Sequence, residues 1–106
     1  MKITNAILLS FFLASAVSAQ EGQLEEMGFV HNDVLRLYQL YVPAAYDDNE
    51  AWPLVINLHG ATSNPGGQIF VSGMNAVADT ARFLVVYPWG LLNQYGDSGW
   101  NDHLFA

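Results

Sequence analysis

The chain contains no cysteine, so disulfide staples, thiolate metal sites and a cysteine nucleophile are all excluded. Cations are almost as scarce: three Lys and Arg stand against ten Asp and Glu, a formal charge of −7. Acidity of that degree repels phosphate backbones and anionic headgroups, which argues against nucleic acid or a membrane as partner of the mature chain. No apolar run reaches the roughly 18 residues that cross a bilayer as a helix. No two histidines stand four apart, and His59, Asp97, Asp102 and His103 are too scattered to predict a metal centre. Neither a metal nor a cofactor is expected.

What is present begins with an export signal. Lys2 precedes the apolar run Ala6 to Val17, and Val17-Ser18-Ala19 places small residues before a cut at Gln20. Residues 1–19 are read as a signal peptide and the protein as secreted, to the extracellular space or the periplasm. Residues 20–106 then form one folded portion, with only Arg36 and Arg82 left to offset the carboxylates. Without disulfides, so short a chain depends entirely on its core.

Along the chain, Gln20 to Phe29 is acidic and aperiodic and reads as a loose lead-in. Val34 to Val42 alternates as a strand with apolar residues on both sides, which predicts cover on both faces. Pro43 ends it, and Tyr46 to Ala51 is a solvated turn. Leu54 to Leu58 is apolar apart from Asn57, the pattern of an interior strand in a parallel or mixed sheet. Thr62 to Gly67 is turn chemistry. A helix follows with Ser72 as N-cap and Met74, Val77, Ala78 and Ala81 on one face. Phe83 to Tyr87 is a further buried strand closed by Pro88. Trp89 to Ala106 is Gly-rich, aromatic and irregular. Strand, strand, helix, strand is the start of an α/β layered fold.

The stretch Pro53 to Asn64, PLVINLHGATSN, carries the most specific chemistry. A buried strand that stops at His-Gly and turns sharply can present a fixed backbone N–H to an oxygen that gains negative charge during acyl transfer. His59, Gly60, Ala61 and Thr62 form that candidate oxyanion loop. Ala61 is the first candidate donor and Thr62 the second, with Gly60 permitting close approach. An ordinary strand-to-helix turn is the alternative, and a lone histidine is more often a hydrogen-bonded structural residue than a base. Trp89, Tyr95 and Trp100 are candidates to line a substrate pocket, or simply to pack. Gly96-Asp97-Ser98-Gly99 has the look of a serine-protease nucleophile segment. Its length and its interrupting helix favour a Gly-rich turn instead.

The ordered blocks RLYQLYVPAAYD, PLVINLHGATSN, SGMNAVADTARFLVVYPWG and GWND resemble the N-terminal part of secreted esterases of the polyhydroxybutyrate depolymerase and feruloyl esterase type, members of the α/β-hydrolase superfamily. The similarity runs from Val34 to Asp102. It implies the N-terminal part of an α/β-hydrolase sheet, with strands, oxyanion loop, first helix and next strand. It also implies ester hydrolysis by a Ser, an Asp or Glu and a His in that chain order. The substrate implied is a polyester or a feruloylated polysaccharide. Only His59, Gly60 and Ala61 map onto functional positions. Beyond the signal, Ser63, Ser72 and Ser98 do not stand in G-x-S-x-G, so no catalytic residue of the triad is found in this chain. The expectation is a portion that precedes the nucleophile, inactive alone and poorly folded, because FLVVY needs strand neighbours on both edges. The competing expectation is a small secreted carbohydrate-binding or structural module using Trp52, Trp89 and Trp100.

Overall fold

The computed structural model describes residues 21–101. The expected signal peptide and the Asp102-His103 pair lie outside them.

Two long strands open the fold. β1 (Gln23–His31) and β2 (Val34–Val42) form an antiparallel hairpin whose register ends at His31 opposite Val34. Asn32 and Asp33 turn the chain with φ of 48° and 62°, the two left-handed positions of a type I′ turn. The segment read as a loose lead-in is therefore mostly strand. Its apolar residues lack a period of two because β1 is exposed along its whole length, so no buried face imposed alternation.

β3 (Leu54–Ile56) follows, then α1 (Pro65–Ser72), α2 (Met74–Ala81) and β4 (Leu84–Pro88). The four strands make one mixed sheet in the order β1-β2-β4-β3, with β4 antiparallel to β2 and parallel to β3. This is a small α/β fold. A two-stranded ribbon, β5 (Leu91–Leu92) and β6 (Ser98–Gly99), occupies part of the segment read as irregular.

Three strand expectations change. β4 does have neighbours on both edges, β2 and β3, which removes the stated reason for poor folding. β3 is an edge strand among the described residues rather than an interior one, and it leaves Leu54 and Ile56 exposed. β2 is not covered on both faces: on the Tyr41 side Leu35 and Leu37 are exposed, and on the other side Leu40 borders an open groove. The helical segment also begins earlier than expected. Asn64 caps α1, its Oδ1 accepting from the Gly67 N–H at 2.9 Å, with Pro65 in the first turn. Ser72 ends α1 instead of opening a helix, although its Oγ accepts from the Met74 N–H at 3.3 Å. Gly73, at φ 57°, lets the chain break between the helices.

The core lies between the sheet and the helices, where Tyr41, Val85 and Tyr87 meet Ala78, flanked by Ile69, Met74 and Phe83. Alternation places Leu40, Leu54, Ile56, Leu84 and Val86 on the other sheet face. No described element covers that face, which forms an open apolar groove of about 670 Å³. Asn57, the polar interruption noted in the strand, ties the sheet to α1. Its amide donates to Ser72 Oγ at 3.1 Å, and Gln68 Nε2 donates to its Oδ1 at 2.7 Å.

Tyr41 Oη donates to Asp79 Oδ1 at 2.8 Å, joining β2 to α2. Burial first, and then the Asp79 hydrogen bond and charge, push the phenol up to about 12. An unfolded tyrosine ionises near 10. The folded value is the higher one, so this contribution is fully present below pH 10 and is lost as pH rises from about 10 to 12. Urea titrations at pH 9 and pH 12 should show Tyr41→Phe to be less sensitive to alkali than the parent. Equal sensitivity would contradict the assignment.

Candidate oxyanion loop

The loop starts where β3 leaves the sheet. The Asn57 N–H still donates to Val86 O at 2.9 Å, after which the chain turns out at His59. His59 is only 2% exposed. The Gly90 N–H donates to its Nε2 at 2.9 Å, so Nε2 is an acceptor and the ring proton resides on Nδ1. Nδ1 lies 2.7 Å from Gly60 O and donates to it. Both ring nitrogens are thus engaged with backbone, the arrangement of a structural histidine rather than a free base.

The next four residues form a tight turn in which the Ser63 N–H donates to Gly60 O at 3.2 Å. Ala61 takes its second position and Thr62 its third, with Thr62 at φ 65°. Positive φ at the third position only is the type II pattern, which favours glycine there. A β-branched residue in that region is strained, typically by about 1–3 kcal/mol, and such strain survives only where the surroundings enforce it.

The enforcement comes from the β5–β6 ribbon. The Thr62 N–H donates to Ser98 O at 2.8 Å, and Ser98 Oγ donates to Ser63 O at 2.5 Å. Trp100 Nε1 donates to His59 O at 2.7 Å, and its ring sits 4.9 Å from the His59 ring. Thr62, the second expected donor, is therefore committed to Ser98 and does not face a substrate. The Ala61 N–H has no backbone or side-chain acceptor among the described residues, and Ala61 is exposed. Gly60 also differs from expectation. Its φ is not left-handed, and nothing lies within 4 Å of where a Cβ would stand. What a side chain there would fill is open space beside Ala61, not a contact within the chain.

Beside the turn lies a groove of about 430 Å³. Thr62, Ser63 and Asn64 form one wall, and Leu35, Leu37, Trp89, Leu91 and Leu92 supply the apolar lining. It opens at the carboxyl ends of the parallel pair β3 and β4, the usual ligand side of such a sheet. Trp89 lines it while donating from Nε1 to Glu26 at 2.9 Å. Trp100 does not line it, being spent on His59. Tyr95 is largely exposed in the turn between β5 and β6. Trp52 precedes β3 at the opposite end of the sheet, with Arg82 4.8 Å from its ring centre and Tyr46 edge-on at 5.4 Å. The three tryptophans do not form one platform.

Of the Gly96-Asp97-Ser98-Gly99 segment, Gly96 at φ 84° belongs to the turn, where Asn93 Oδ1 accepts from the Tyr95 and Asp97 amides, and Ser98–Gly99 is strand β6. Ser98 is a tether whose hydroxyl proton is already given to Ser63 O. Asp97 joins that groove's rim. Among the described residues no three metal-ligating side chains converge, and no helix is long and apolar enough to cross a membrane.

Gly90 was not singled out by sequence, yet the ribbon depends on it. A Cβ there would stand 2.6 Å from Gly99 O, 2.9 Å from Gly99 N and 3.1 Å from His59 Cε1. The crowding is against backbone, which cannot swing aside as a side chain can. Gly90→Ala is expected to cost about 1–3 kcal/mol, as overpacking does, and to loosen the ribbon from His59. A denaturation midpoint equal to the parent's would contradict it. Set against known proteins, the chain matches no family model and no curated protein.

Proposed function

We propose that this chain carries the oxyanion-hole portion of a secreted serine carboxylic-ester hydrolase of the polyhydroxybutyrate depolymerase or feruloyl esterase type. One observation carries the reading: the backbone N–H of Ala61, which meets no acceptor among the described residues, in a strained turn between the third strand and the first helix. In α/β-hydrolases the loop at that place supplies one oxyanion donor, and the residue after the nucleophile supplies the other. The turn follows the third strand, since β1 and β2 precede β3 in the chain.

In such an enzyme a serine Oγ attacks the ester carbonyl while a histidine accepts its proton. The carbonyl oxygen becomes an oxyanion, and the Ala61 N–H donates to it. The oxyanion collapses to an acyl-enzyme, the alcohol leaves with the proton, and water completes the hydrolysis. The apolar groove beside the turn suits an uncharged chain or ring, since Asp97 and the acidic surface disfavour an anion. No serine of these 106 residues stands in G-x-S-x-G, and the proposal assigns the nucleophile, the acid and the histidine to residues outside them.

The test is to express the whole reading frame and follow hydrolysis of an aryl ester with and without a phosphonate that labels active serines. Hydrolysis abolished by one phosphonate per molecule supports the proposal. Activity insensitive to the phosphonate, or none on aryl, polyester and feruloyl substrates alike, contradicts it.

A further inference from the structure

Beyond lining the groove, the ribbon and the residues at its two ends, Gly90 and Trp100, direct four polar contacts to one target. Ser98 O takes the Thr62 N–H, Ser98 Oγ reaches Ser63 O, the Gly90 N–H reaches His59 Nε2, and Trp100 Nε1 reaches His59 O. Contacts from three separate residues converge on the five-residue span His59 to Ser63.

That convergence has a physical reason. Thr62 sits at φ 65°, a conformation its branched side chain disfavours, and the turn's single internal bond is a long 3.2 Å. One weak bond does not hold a strained turn, and a released turn would let the Ala61–Thr62 peptide rotate and carry the donor with it. We propose that Ser98 and Trp100 are positioning residues, whose bonds to Thr62, Ser63 and His59 O hold the turn in its strained form and so fix the direction of the Ala61 N–H. The catalytic consequence rests on the esterase reading, but the positioning itself does not.

Two substitutions separate this from general packing. Ser98→Ala removes the hydroxyl bond to Ser63 O and keeps the backbone bond to Thr62. Trp100→Phe keeps an aromatic ring against His59 and removes only the Nε1–H donor. Trp89→Phe is the control, since it removes an indole donor whose partner is Glu26. The readout is amide hydrogen exchange of the full chain at low micromolar concentration, resolved for the turn and for β4.

Both test variants should speed exchange at Thr62 and Ser63 by about three- to tenfold, the range one lost hydrogen bond gives. Leu84 to Tyr87 should exchange as in the parent, and Trp89→Phe should leave the turn unchanged. Equal acceleration in turn and β4 would mean that Ser98 and Trp100 serve stability only, and would overturn the proposal. Unchanged exchange in the turn would overturn it as well. If the turn loosens as expected but the whole reading frame shows no ester hydrolysis, the positioning stands and the esterase reading falls.

Discussion

Under the esterase proposal, Ala61→Pro in the whole protein should lower kcat for ester hydrolysis by about 10²–10³ while the protein remains folded, the cost typical of losing one oxyanion donor. Proline has no N–H, so the substitution deletes the candidate donor and nothing else polar. The turn accepts it, because the second position of a type II turn is one that proline favours. The residue before it is Gly60, which has no Cβ to meet the proline Cδ, so the usual crowding before a proline is reduced. A donor used only in the transition state lowers kcat and kcat/KM together and leaves KM almost unchanged. Steady-state kinetics and a thermal melt check both halves. A folded Ala61→Pro enzyme with parental kcat would remove Ala61 from the mechanism. A tenfold rise in KM at constant kcat would move it into ground-state binding.

His59→Ala should destabilise the protein by about 3 kcal/mol, the sum expected for a truncated buried ring and an orphaned partner. The ring is the joint between the turn and the ribbon, accepting from the Gly90 N–H and donating to Gly60 O. Removing it leaves the Gly90 amide without an acceptor and Trp100 without its ring contact. Urea denaturation measures the loss. A histidine serving as general base would behave differently, abolishing turnover with little change in the midpoint. That outcome would contradict the structural role assigned here.

The parts of the fold legible in sequence are those whose signals are local. Val34 to Val42 and the strand ending at Tyr87 and Pro88 are bounded by turn residues and were read almost to the residue. β1 was not, because an exposed hairpin arm needs no alternating pattern; its only local signal is Asn32-Asp33, which fits a type I′ turn. α1 is hidden in the sequence because Pro-Gly-Gly reads as a loop, whereas Asn64 and Pro65 are an N-cap and a first-turn proline. Edge or interior position is a matter of strand order, which no run of residues encodes. The same separation holds at the site. Gly60 and Ala61 could be singled out from a strand ending in His-Gly. The commitment of Thr62 to Ser98, 36 residues away, and of Trp100 to His59 could not, since each depends on where the ribbon folds back.

The acidic surface and the single described ion pair contribute little to this account. Arg82 and Glu50 meet at 2.8 Å with both side chains more than half exposed, and such pairs are worth about 0–1 kcal/mol. What holds the site is backbone hydrogen bonding around one buried ring.

The measurement that tests the central claim most directly is to sequence the transcript through and beyond the codon for Ala106. An ester hydrolase whose oxyanion loop is His59 to Thr62 predicts an open frame running into G-x-S-x-G, then an Asp or Glu, then a His. A stop codon directly after Ala106 would leave the Ala61 N–H with no nucleophile to serve and would contradict the claim.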